Sequence, residues 1–426
     1  MRAIVKPSLA KGEILAPRSK SDMQRSCAAA LLHHGTTYII NPGKSNDDLA
    51  ALDVIQKLGA TVAYEDDCIK VTSQGVNPVG NEINCGESGL GIRMFTPIAA
   101  TSSKALTING TGSLVKRPMD FFDEIFPQLG IHIQSNQGKL PLHIQGPLDP
   151  STIEVDGSLS SQFLTGLLMA YASTASGQVT IRVKDLKSKP YIDMTLRVIK
   201  AFGMRSPIVD NYESFTFKAE DQQSTTDPMR YSVEGDWSGA AFLFVAGAIS
   251  GEVLIKGMEA DSVQADKMIL KAIQDSGAEL ELVNGVYKVA PAALSAFEFD
   301  ATECPDLFPP LVALASYCKG ITKIKGANRL THKESNRALT LQDVFGKMGV
   351  QIDLEDDMML IHGGSGLHGA AVSSHHDHRI AMAAAIAALG ATGETIIDDA
   401  EAINKSYPQF YDDIISLGAH VTLQTN

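Results

Sequence analysis

The strongest constraint on the fold is a pattern that recurs six times along the chain. In each copy, a helical run of apolar residues ends at a glycine, and a short alternating segment follows. Helices commonly end at a residue with positive φ, a conformation that glycine adopts without a Cβ clash. The even spacing of the glycines predicts six duplicated units, with these residues at equivalent positions: Gly59, Gly130, Gly203, Gly277, Gly349 and Gly418.

A second series of helical segments alternates with these repeats and is apolar on nearly every face. A helix without a polar face is buried in a globular protein. Each segment is followed by a short run rich in β-formers, so every unit combines a buried helix, an amphipathic helix and several strands. The fold class is therefore α/β. The six buried segments are RSCAAALLHHG, RMFTPIAATSS, QFLTGLLMAYASTASG, SGAAFLFVAGAISG, LFPPLVALASYCKG and RIAMAAAIAALGATG.

The chain is too long for one ordinary domain, and a polar, proline-containing segment at Ala219–Tyr231 separates the third unit from the fourth. We predict one three-unit domain at residues 19–230 and a second that combines residues 1–18 with 231–426. The N-terminal strand precedes the first unit. We therefore expect it to pair with the last unit and close the second domain.

Composition excludes several classes of function. The formal net charge of -13 opposes general binding to nucleic acid or to an anionic membrane. The apolar stretches are too short to span a bilayer, and the N-terminus lacks the apolar core of a signal peptide. Five scattered cysteines without a C-x-x-C pair suggest neither a disulfide framework nor a zinc site. We expect a cytoplasmic protein.

Polar residues crowd the N-terminal ends of the buried helices. Serine and aspartate there are ordinary caps of free backbone amides. Cations at the same ends oppose the helix dipole, and a bound anion would compensate them. The pattern therefore predicts anionic ligands. The cations in question are Lys20, Arg25, Arg93 and Arg379, and further basic clusters lie near turns at Lys116–Arg117, Lys187–Lys189, Lys333–Arg337 and Lys405.

Several of these segments, in their order and spacing, resemble the enolpyruvyl transferases, in the branch that acts on shikimate 3-phosphate. The resemblance runs nearly end to end. It implies two similar domains, each of three βαβαββ units, in an inside-out α/β barrel arrangement with the active site in the cleft between domains. The motifs are SKSDMQR at Ser19–Arg25, KRP at Lys116–Pro118, SLSSQFLTGLLMA at Ser158–Ala170, SKPYID at Ser188–Asp193, PD at Pro305–Asp306, HKESNR at His332–Arg337, DHRIAM at Asp377–Met382 and KSYP at Lys405–Pro408.

The resemblance also implies a reaction in the route to chorismate and the aromatic amino acids. The enolpyruvyl group of phosphoenolpyruvate passes to the 5-hydroxyl of shikimate 3-phosphate by addition and elimination, with release of phosphate. Neither a metal nor another cofactor is required. The partners are then the two small-molecule substrates, and a monomer is expected because a two-domain chain encloses its own cleft.

The resemblance also implies roles for individual residues of this chain, which follow from the matching motifs. Asp306 is the candidate base for the hydroxyl, Glu334 or Lys20 would handle the methylene proton, and His378 would lie close by. Shikimate 3-phosphate would be bound by Lys20, Ser21, Arg25, Ser160, Ser161, Gln162, Ser188, Tyr191, Asp306 and Lys333. Phosphoenolpyruvate would be bound by Lys20, Gly89, Arg117, Gln162, Arg337, Arg379 and Lys405. The chain departs from the usual family pattern where Glu87, Leu90 and Met94 replace asparagine, threonine and proline.

Other functions compete with this interpretation. The sibling enzyme that uses UDP-N-acetylglucosamine often carries a cysteine before its central arginine, whereas the loop at Thr111–Arg117 has none. A non-catalytic anion-binding protein of the same fold would be expected to lose charged site residues, which are all present. The HHDH run at His375–His378 suggests a metal site, but no second ligand group lies at a recognisable spacing.

Overall fold

The computed structural model describes residues 1–158, 160–219, 228–331 and 333–425. Residues 220–227 of the predicted linker lie outside this part of the chain, as do Leu159 and His332 of the quoted motifs. The strands are β1 Arg2–Lys6, β2 Gly12–Leu15, β3 Gly35–Ile40, β4 Thr61–Glu65, β5 Cys68–Ser73, β6 Glu82–Asn84, β7 Ala105–Asn109, β8 His132–Ser135, β9 Leu142–Gln145, β10 Ile153–Asp156, β11 Val179–Lys184, β12 Ile208–Asp210, β13 Ser214–Phe217, β14 Met229–Ser232, β15 Val253–Lys256, β16 Glu279–Val283, β17 Val286–Ala290, β18 Glu298–Asp300, β19 Gly320–Lys325, β20 Gln351–Glu355, β21 Met358–Gly363, β22 Ala371–Ser373, β23 Thr395–Asp398 and β24 His420–Gln424.

The α-helices fall between these strands. They are α1 Lys20–Leu32, α2 Asn46–Lys57, α3 Gly89–Ala99, α4 Asp120–Ile125, α5 Ser161–Thr174, α6 Lys189–Ala201, α7 Trp237–Ile249, α8 Ile269–Asp275, α9 Phe308–Ala315, α10 Arg337–Lys347, α11 His378–Ala388 and α12 Phe410–Ser416. None of the helices in the described ranges is long and apolar enough to cross a membrane.

The described strands form six four-stranded sheets that share one pattern. In the second sheet, β6 and β7 are parallel and are connected through α3, so they form a βαβ crossover. Helix α4 then leads to the hairpin β8–β9, whose second strand pairs antiparallel with β7. The order β6-β7-β9-β8 is thus a βαβαββ unit. The other orders are β14-β3-β5-β4, β10-β11-β13-β12, β2-β15-β17-β16, β18-β19-β21-β20 and β22-β23-β1-β24.

Three sheets are completed by a strand that is distant in sequence. Strand β14 lies parallel to β3, with Tyr231 opposite Ile39. Strand β2 lies parallel to β15, with Ile14 opposite Ile255. Strand β1 lies between β23 and β24 and pairs antiparallel with both. The predicted pairing of the N-terminal strand with the last unit is confirmed.

The chain divides into two compact units. One is continuous, Lys20–Val233, and is called the continuous unit below; the other combines Met1–Ser19 with Glu234–Asn426 and is called the split unit. The divisions fall after residues 19 and 233, whereas the sequence placed them after 18 and 230. The later position of the second division follows from β14, which belongs to the first sheet through its pairing with β3.

The apolar helices are buried, as their composition predicts. They are α1, α3 and α5 in the continuous unit and α7, α9 and α11 in the split unit. In α7, every residue from Gly239 to Ala248 is buried. Polar caps mark their starts: Ser88 caps α3, Ser160 caps α5, Asp236 caps α7 and Asp377 caps α11.

The six repeat glycines all have positive φ, which confirms the prediction made from their spacing. Their φ angles lie between 61° at Gly203 and 111° at Gly59. Each ends the amphipathic helical segment of its unit and turns the chain toward the next hairpin. Since residues with a Cβ are strained in this region, the glycines fix where each helix stops.

The substitution Gly203→Ala tests whether positive φ at this position requires glycine, because the added methyl group does not disturb the packing. The Cβ would meet no heavy atom within 4 Å, so the cost comes from the φ of +61° alone. We expect thermal unfolding to report a loss of about 1 kcal/mol. Gly177→Ala is the matched control, because its Cβ also meets nothing within 4 Å and its φ lies outside the left-handed region. Equal stability of the two variants would contradict the proposed backbone role.

Candidate active site

The N-terminal ends of the three buried helices meet in the continuous unit. The Ser88 hydroxyl, which caps α3, donates to Gln24 Oε1 of α1 at 2.9 Å. Arg93 Nη1 of α3 donates to Gln162 Oε1 in the first turn of α5 at 2.9 Å. The Arg93 guanidinium also lies 4.8 Å from the ring centroid of Phe163. Polar side chains therefore converge at one end of an apolar bundle.

Arg117 lies against the first residue of α3. A Cβ built on Gly89 would lie 2.5 Å from Arg117 Nη1 and 3.6 Å from Gln162 Oε1. Only glycine leaves room for the guanidinium at this helix end. The structure thus brings together Gly89, Arg117 and Gln162, which the sequence assigned to phosphoenolpyruvate, with Arg93 beside them.

Lys20, the first residue of α1, pairs with a carboxylate that sequence reasoning missed. Its Nζ lies 2.9 Å from Asp47 Oδ2 in the first turn of α2, and the two side chains are 15% and 7% exposed. The sequence argument required a bound anion to compensate Lys20, but Asp47 supplies that charge from within the protein. The available signal was the SNDD run, which starts α2 with the Ser45 and Asp48 capping box.

Asp48 is a buried carboxylate next to this pair. Its Oδ2 accepts from the Ser45 backbone amide at 2.9 Å and from the Ser45 hydroxyl at 2.7 Å. Burial raises the pKa of Asp48 to about 7, although both hydrogen bonds from Ser45 lower it. Asp48, one half of the capping box of α2, therefore changes charge near neutral pH.

Arg25 connects α1 to α6. Its guanidinium donates to Thr195 Oγ1 at 3.0 Å, to the Ser21 carbonyl at 2.8 Å and to the Tyr191 carbonyl at 3.1 Å. Burial lowers the pKa of Arg25 to about 10. The predicted residues Ser21, Arg25 and Tyr191 are therefore joined directly. Ser188 is buried just before α6, and Ser160 and Ser161 begin α5.

The split unit gathers its predicted residues around Asp306, which lies just before α9. Asp306 Oδ1 is 2.8 Å from Arg337 Nη1 and 3.2 Å from Lys333 Nζ. Asp306 Oδ2 is 3.1 Å from Arg379 Nη2. Cations from a loop and from the N-terminal ends of α10 and α11 thus surround one carboxylate.

Arg337 extends this network to two further carboxylates. Its Nη2 lies 2.5 Å from Glu334 Oε2, and its Nε lies 2.7 Å from Asp377 Oδ2. Asp377 also caps α11. The buried imidazole of His378 lies with its Nε2 3.3 Å from Arg379 Nη1, and Lys405 Nζ donates to the His376 carbonyl at 2.7 Å.

The charges in this network shift one another. Burial would favour the neutral form of Asp306, but Arg379, Lys333 and Arg337 hold the pKa of Asp306 well below its ordinary range. Burial lowers the pKa of Lys333, against the opposing effect of Asp306. Burial also works against the charge of Arg337, but Asp377, Glu334 and Asp306 raise the pKa of Arg337 well above its ordinary value. Asp306 is therefore ionised.

Asp266 is a second site carboxylate that sequence reasoning missed. The Ser238 hydroxyl in α7 donates to Asp266 Oδ2. Arg379 Nη2 in turn donates to Ser238 Oγ at 2.8 Å. Ser238, in the first turn of α7, has the sequence signature of an ordinary polar residue at a helix start, and nothing in the sequence around Asp266 distinguishes it from a surface aspartate.

The described thiols and histidines of the chain have ordinary structural environments. Cys304 is buried, and burial raises the pKa of its thiol well above the ordinary value, so a nucleophilic thiolate is disfavoured. In the described ranges, no group of three or more histidine, cysteine, aspartate or glutamate side chains is placed to hold a metal ion. His375 and His376 instead lie 3.6 Å from Asp343 and 3.9 Å from Asp399.

The fold and the charged helix ends define a class of protein, the enolpyruvyl transferase-like α/β proteins. A structure of EPSP synthase from Acinetobacter baumannii has a TM-score of 0.83 and 24% identity, covering 99% of this chain and 100% of that one. The enolpyruvyl transferase NikO from Streptomyces tendae has a TM-score of 0.80 and 17% identity, covering 100% and 99%. At such identities these similarities establish the fold.

Sequence comparison narrows the class to one family. The family model for EPSP synthase (3-phosphoshikimate 1-carboxyvinyltransferase) matches residues 4–414. A 3-phosphoshikimate 1-carboxyvinyltransferase from Clostridium kluyveri is 34% identical over 421 residues, which cover 98% of this chain and 97% of that protein. The chain belongs to the EPSP synthase family.

The raised pKa of Asp48 predicts how stability depends on pH. The folded chain holds a proton on Asp48 up to about pH 7, whereas an unfolded aspartate loses it near its ordinary value of 3.8. Stability from this group is thus lost as pH rises between those values. Asp48→Asn stays neutral in both states. We expect chemical denaturation to show that, between pH 5 and 7, the free energy of unfolding of the variant rises relative to that of the unmodified chain by up to about 1.4 kcal/mol per pH unit. A difference that does not change with pH would contradict this assignment.

Proposed function

We propose that the chain transfers the enolpyruvyl group of phosphoenolpyruvate to the 5-hydroxyl of shikimate 3-phosphate. In the addition step, the hydroxyl oxygen bonds to the enol carbon, the hydroxyl proton leaves and the methylene carbon gains a proton. In the elimination step, the bond from the former enol carbon to the phosphate oxygen breaks. A methyl proton leaves, the double bond re-forms and inorganic phosphate is released. The product lies on the route to chorismate and the aromatic amino acids.

The observation that carries the proposal is the network around Asp306. In the described part of the split unit, two carboxylates and three cations form one network of ion pairs that runs from Asp306 through Arg337 to Glu334. We assign Asp306 as the general base and Glu334 as a candidate proton donor. The match to the family model over residues 4–414 indicates which two substrates the site would bind. Fixed cations beside the reacting carbon stabilise the charge that develops on a leaving phosphate.

Both units would contribute to binding. We assign shikimate 3-phosphate to Lys20, Ser21, Arg25, Ser160, Ser161, Gln162, Ser188, Tyr191, Asp306 and Lys333. We assign phosphoenolpyruvate to Lys20, Gly89, Arg117, Gln162, Arg337, Arg379 and Lys405. The contacts that join Gly89 to Arg117 and Arg25 to Tyr191 support the grouping within the continuous unit. The contacts of Asp306 with Lys333, Arg337 and Arg379 support it within the split unit.

Substrate binding would make Asp306 a better base. Arg379, Lys333 and Arg337 keep the pKa of Asp306 low, so the carboxylate has little affinity for a proton. The carboxylate and phosphate of phosphoenolpyruvate compete for the same cations. Loss of these partners raises the pKa of Asp306 toward the working pH, where general-base catalysis is most efficient. Glu334, which shares Arg337, would exchange the methylene proton, with Lys20 as the other candidate and His378 alongside.

The alternatives are less well supported. The UDP-N-acetylglucosamine enzyme is disfavoured by the family match and by a Thr111–Arg117 loop without cysteine. A non-catalytic protein would be expected to lose some of the charged site residues, whereas Lys20, Arg117, Asp306, Glu334, Arg337, Arg379 and Lys405 are all present. A cytoplasmic location and a monomeric state remain predictions.

The first experiment is phosphate release from phosphoenolpyruvate with each acceptor supplied separately. We expect release with shikimate 3-phosphate and none with UDP-N-acetylglucosamine. Asp306→Ala and Lys20→Ala should each lower turnover by about 100-fold or more, the range typical of a general acid or base. Release with UDP-N-acetylglucosamine would identify the sibling activity. Absence of release with either acceptor would favour the binding protein.

Gly89→Ala tests the assignment of phosphoenolpyruvate to the start of α3. The new Cβ would lie 2.5 Å from Arg117 Nη1, so the flexible arginine has to move while the backbone remains in place. We expect the KM for phosphoenolpyruvate to rise about tenfold, the effect of one misplaced charged contact, with little loss of stability. Gly346→Ala, whose Cβ meets nothing within 4 Å, is the control. An unchanged KM for phosphoenolpyruvate in Gly89→Ala would contradict the assignment of Gly89 to the phosphoenolpyruvate site.

A further inference from the structure

A chain of hydrogen bonds runs from a buried carboxylate to the candidate base of the split unit. Ser238 donates to Asp266 Oδ2, and Arg379 Nη2 donates to Ser238 Oγ at 2.8 Å. The same Nη2 atom lies 3.1 Å from Asp306 Oδ2. Asp266 is 3% exposed and Arg379 is 6% exposed, so these two groups are shielded from water, whereas Ser238 between them is partly exposed.

The direction of these bonds follows from the chemistry of the groups. Arginine can only donate, whereas a serine hydroxyl has one proton and two lone pairs. Because Ser238 gives its proton to Asp266, its lone pairs are available to Arg379. Without that acceptor the hydroxyl could rotate and present its proton to the guanidinium. Asp266 therefore selects the hydroxyl rotamer that accepts from Arg379.

The charges around Arg379 make its hydrogen bond to Ser238 more important. Asp266 faces Asp306 and Asp236 as well as Arg379 and the Cys304 thiol. Burial raises the pKa of Asp266 to about 6, with Asp306 adding to the rise and Arg379 opposing it. Arg379 thus lies between two carboxylates and forms an ion pair with Asp306. When a substrate anion replaces Asp306, Ser238 and Asp266 still hold the guanidinium.

We propose that Asp266 and Ser238 are positioning residues, which fix the Arg379 guanidinium so that it presents an ordered edge to phosphoenolpyruvate. The proposal rests on the proposed function. Arg379 Nε is buried and has no hydrogen-bond partner among the described residues, so it keeps a proton that is not yet donated. The guanidinium is planar, and fixing Nη2 through Ser238 also fixes the direction of Nε.

The same unit provides a matched control. Ser262 is a buried serine whose hydroxyl donates to the buried Glu234 carboxylate at 2.7 Å. This serine–carboxylate pair resembles Ser238 and Asp266, but Ser262 has not been assigned to either substrate. Ser262→Ala should therefore reproduce any general loss of stability without a specific effect on phosphoenolpyruvate.

The test compares Ser238→Ala, Asp266→Ala, their double variant, Asp266→Asn and Ser262→Ala in the full chain. Steady-state kinetics would give the KM for both substrates and kcat. We expect the first two variants to raise the KM for phosphoenolpyruvate about tenfold, the effect of one hydrogen bond to a charged group. The KM for shikimate 3-phosphate should change less than twofold. The double variant should match the single variants, because both residues act through one contact. Asp266→Asn, which keeps an acceptor oxygen, should recover most of the affinity.

Calorimetric binding of phosphoenolpyruvate separates this proposal from the transfer reaction, because binding needs no turnover. Weaker binding by Ser238→Ala in a chain without turnover would support the positioning role while the transferase assignment failed. Equal effects of Ser238→Ala and Ser262→Ala, or additive effects in the double variant, would overturn the proposal. So would a chain that binds no phosphoenolpyruvate.

Discussion

The structure depends on the pairing of charges at the N-terminal ends of buried helices. Cations at these ends oppose the helix dipole and lose contact with water, so leaving one unpaired would cost several kcal/mol. Lys20 at the start of α1 is paired with Asp47, and Asp377, the cap of α11, is paired with Arg337 of the neighbouring helix α10. Arg379 is paired with Asp306 in the same way. The pairs that make an apolar bundle compatible with buried cations are therefore the groups from which the candidate site is made.

This constraint changes how an anionic substrate would bind. The cations around Asp306 already have carboxylate partners, so on the proposed assignment an incoming anion would exchange with a carboxylate and would not simply fill a positive site. Exchange weakens net affinity, because the displaced carboxylate loses its own stabilisation. It also releases Asp306 from the cations that hold its pKa down. The energy cost of binding is thus coupled to the appearance of a usable base.

The sequence alone predicts those features of the fold that depend on residues close together in the chain. Positive φ at Gly203 and its five equivalents, the buried helices and the polar caps each follow from the chemistry of a few adjacent residues. The pairing of β14 with β3 depends on partners nearly two hundred residues apart. Asp47 and Asp266 look like ordinary helix-turn aspartates until the fold places them beside Lys20 and Ser238. Their roles required three-dimensional structure.

Glu87, which stands where the family usually has asparagine, illustrates how a site tolerates an added charge. Its Oε2 accepts from the Ser113 backbone amide at 3.2 Å, and its carboxylate packs over Gly112, whose φ is 55°. The turn that contains these residues leads directly into Arg117, which lies against Gly89. A glutamate has one methylene more than an asparagine and can reach this turn. The altered residue is therefore coupled through the backbone to the position of Arg117, because restraining the turn restrains the arginine that follows it.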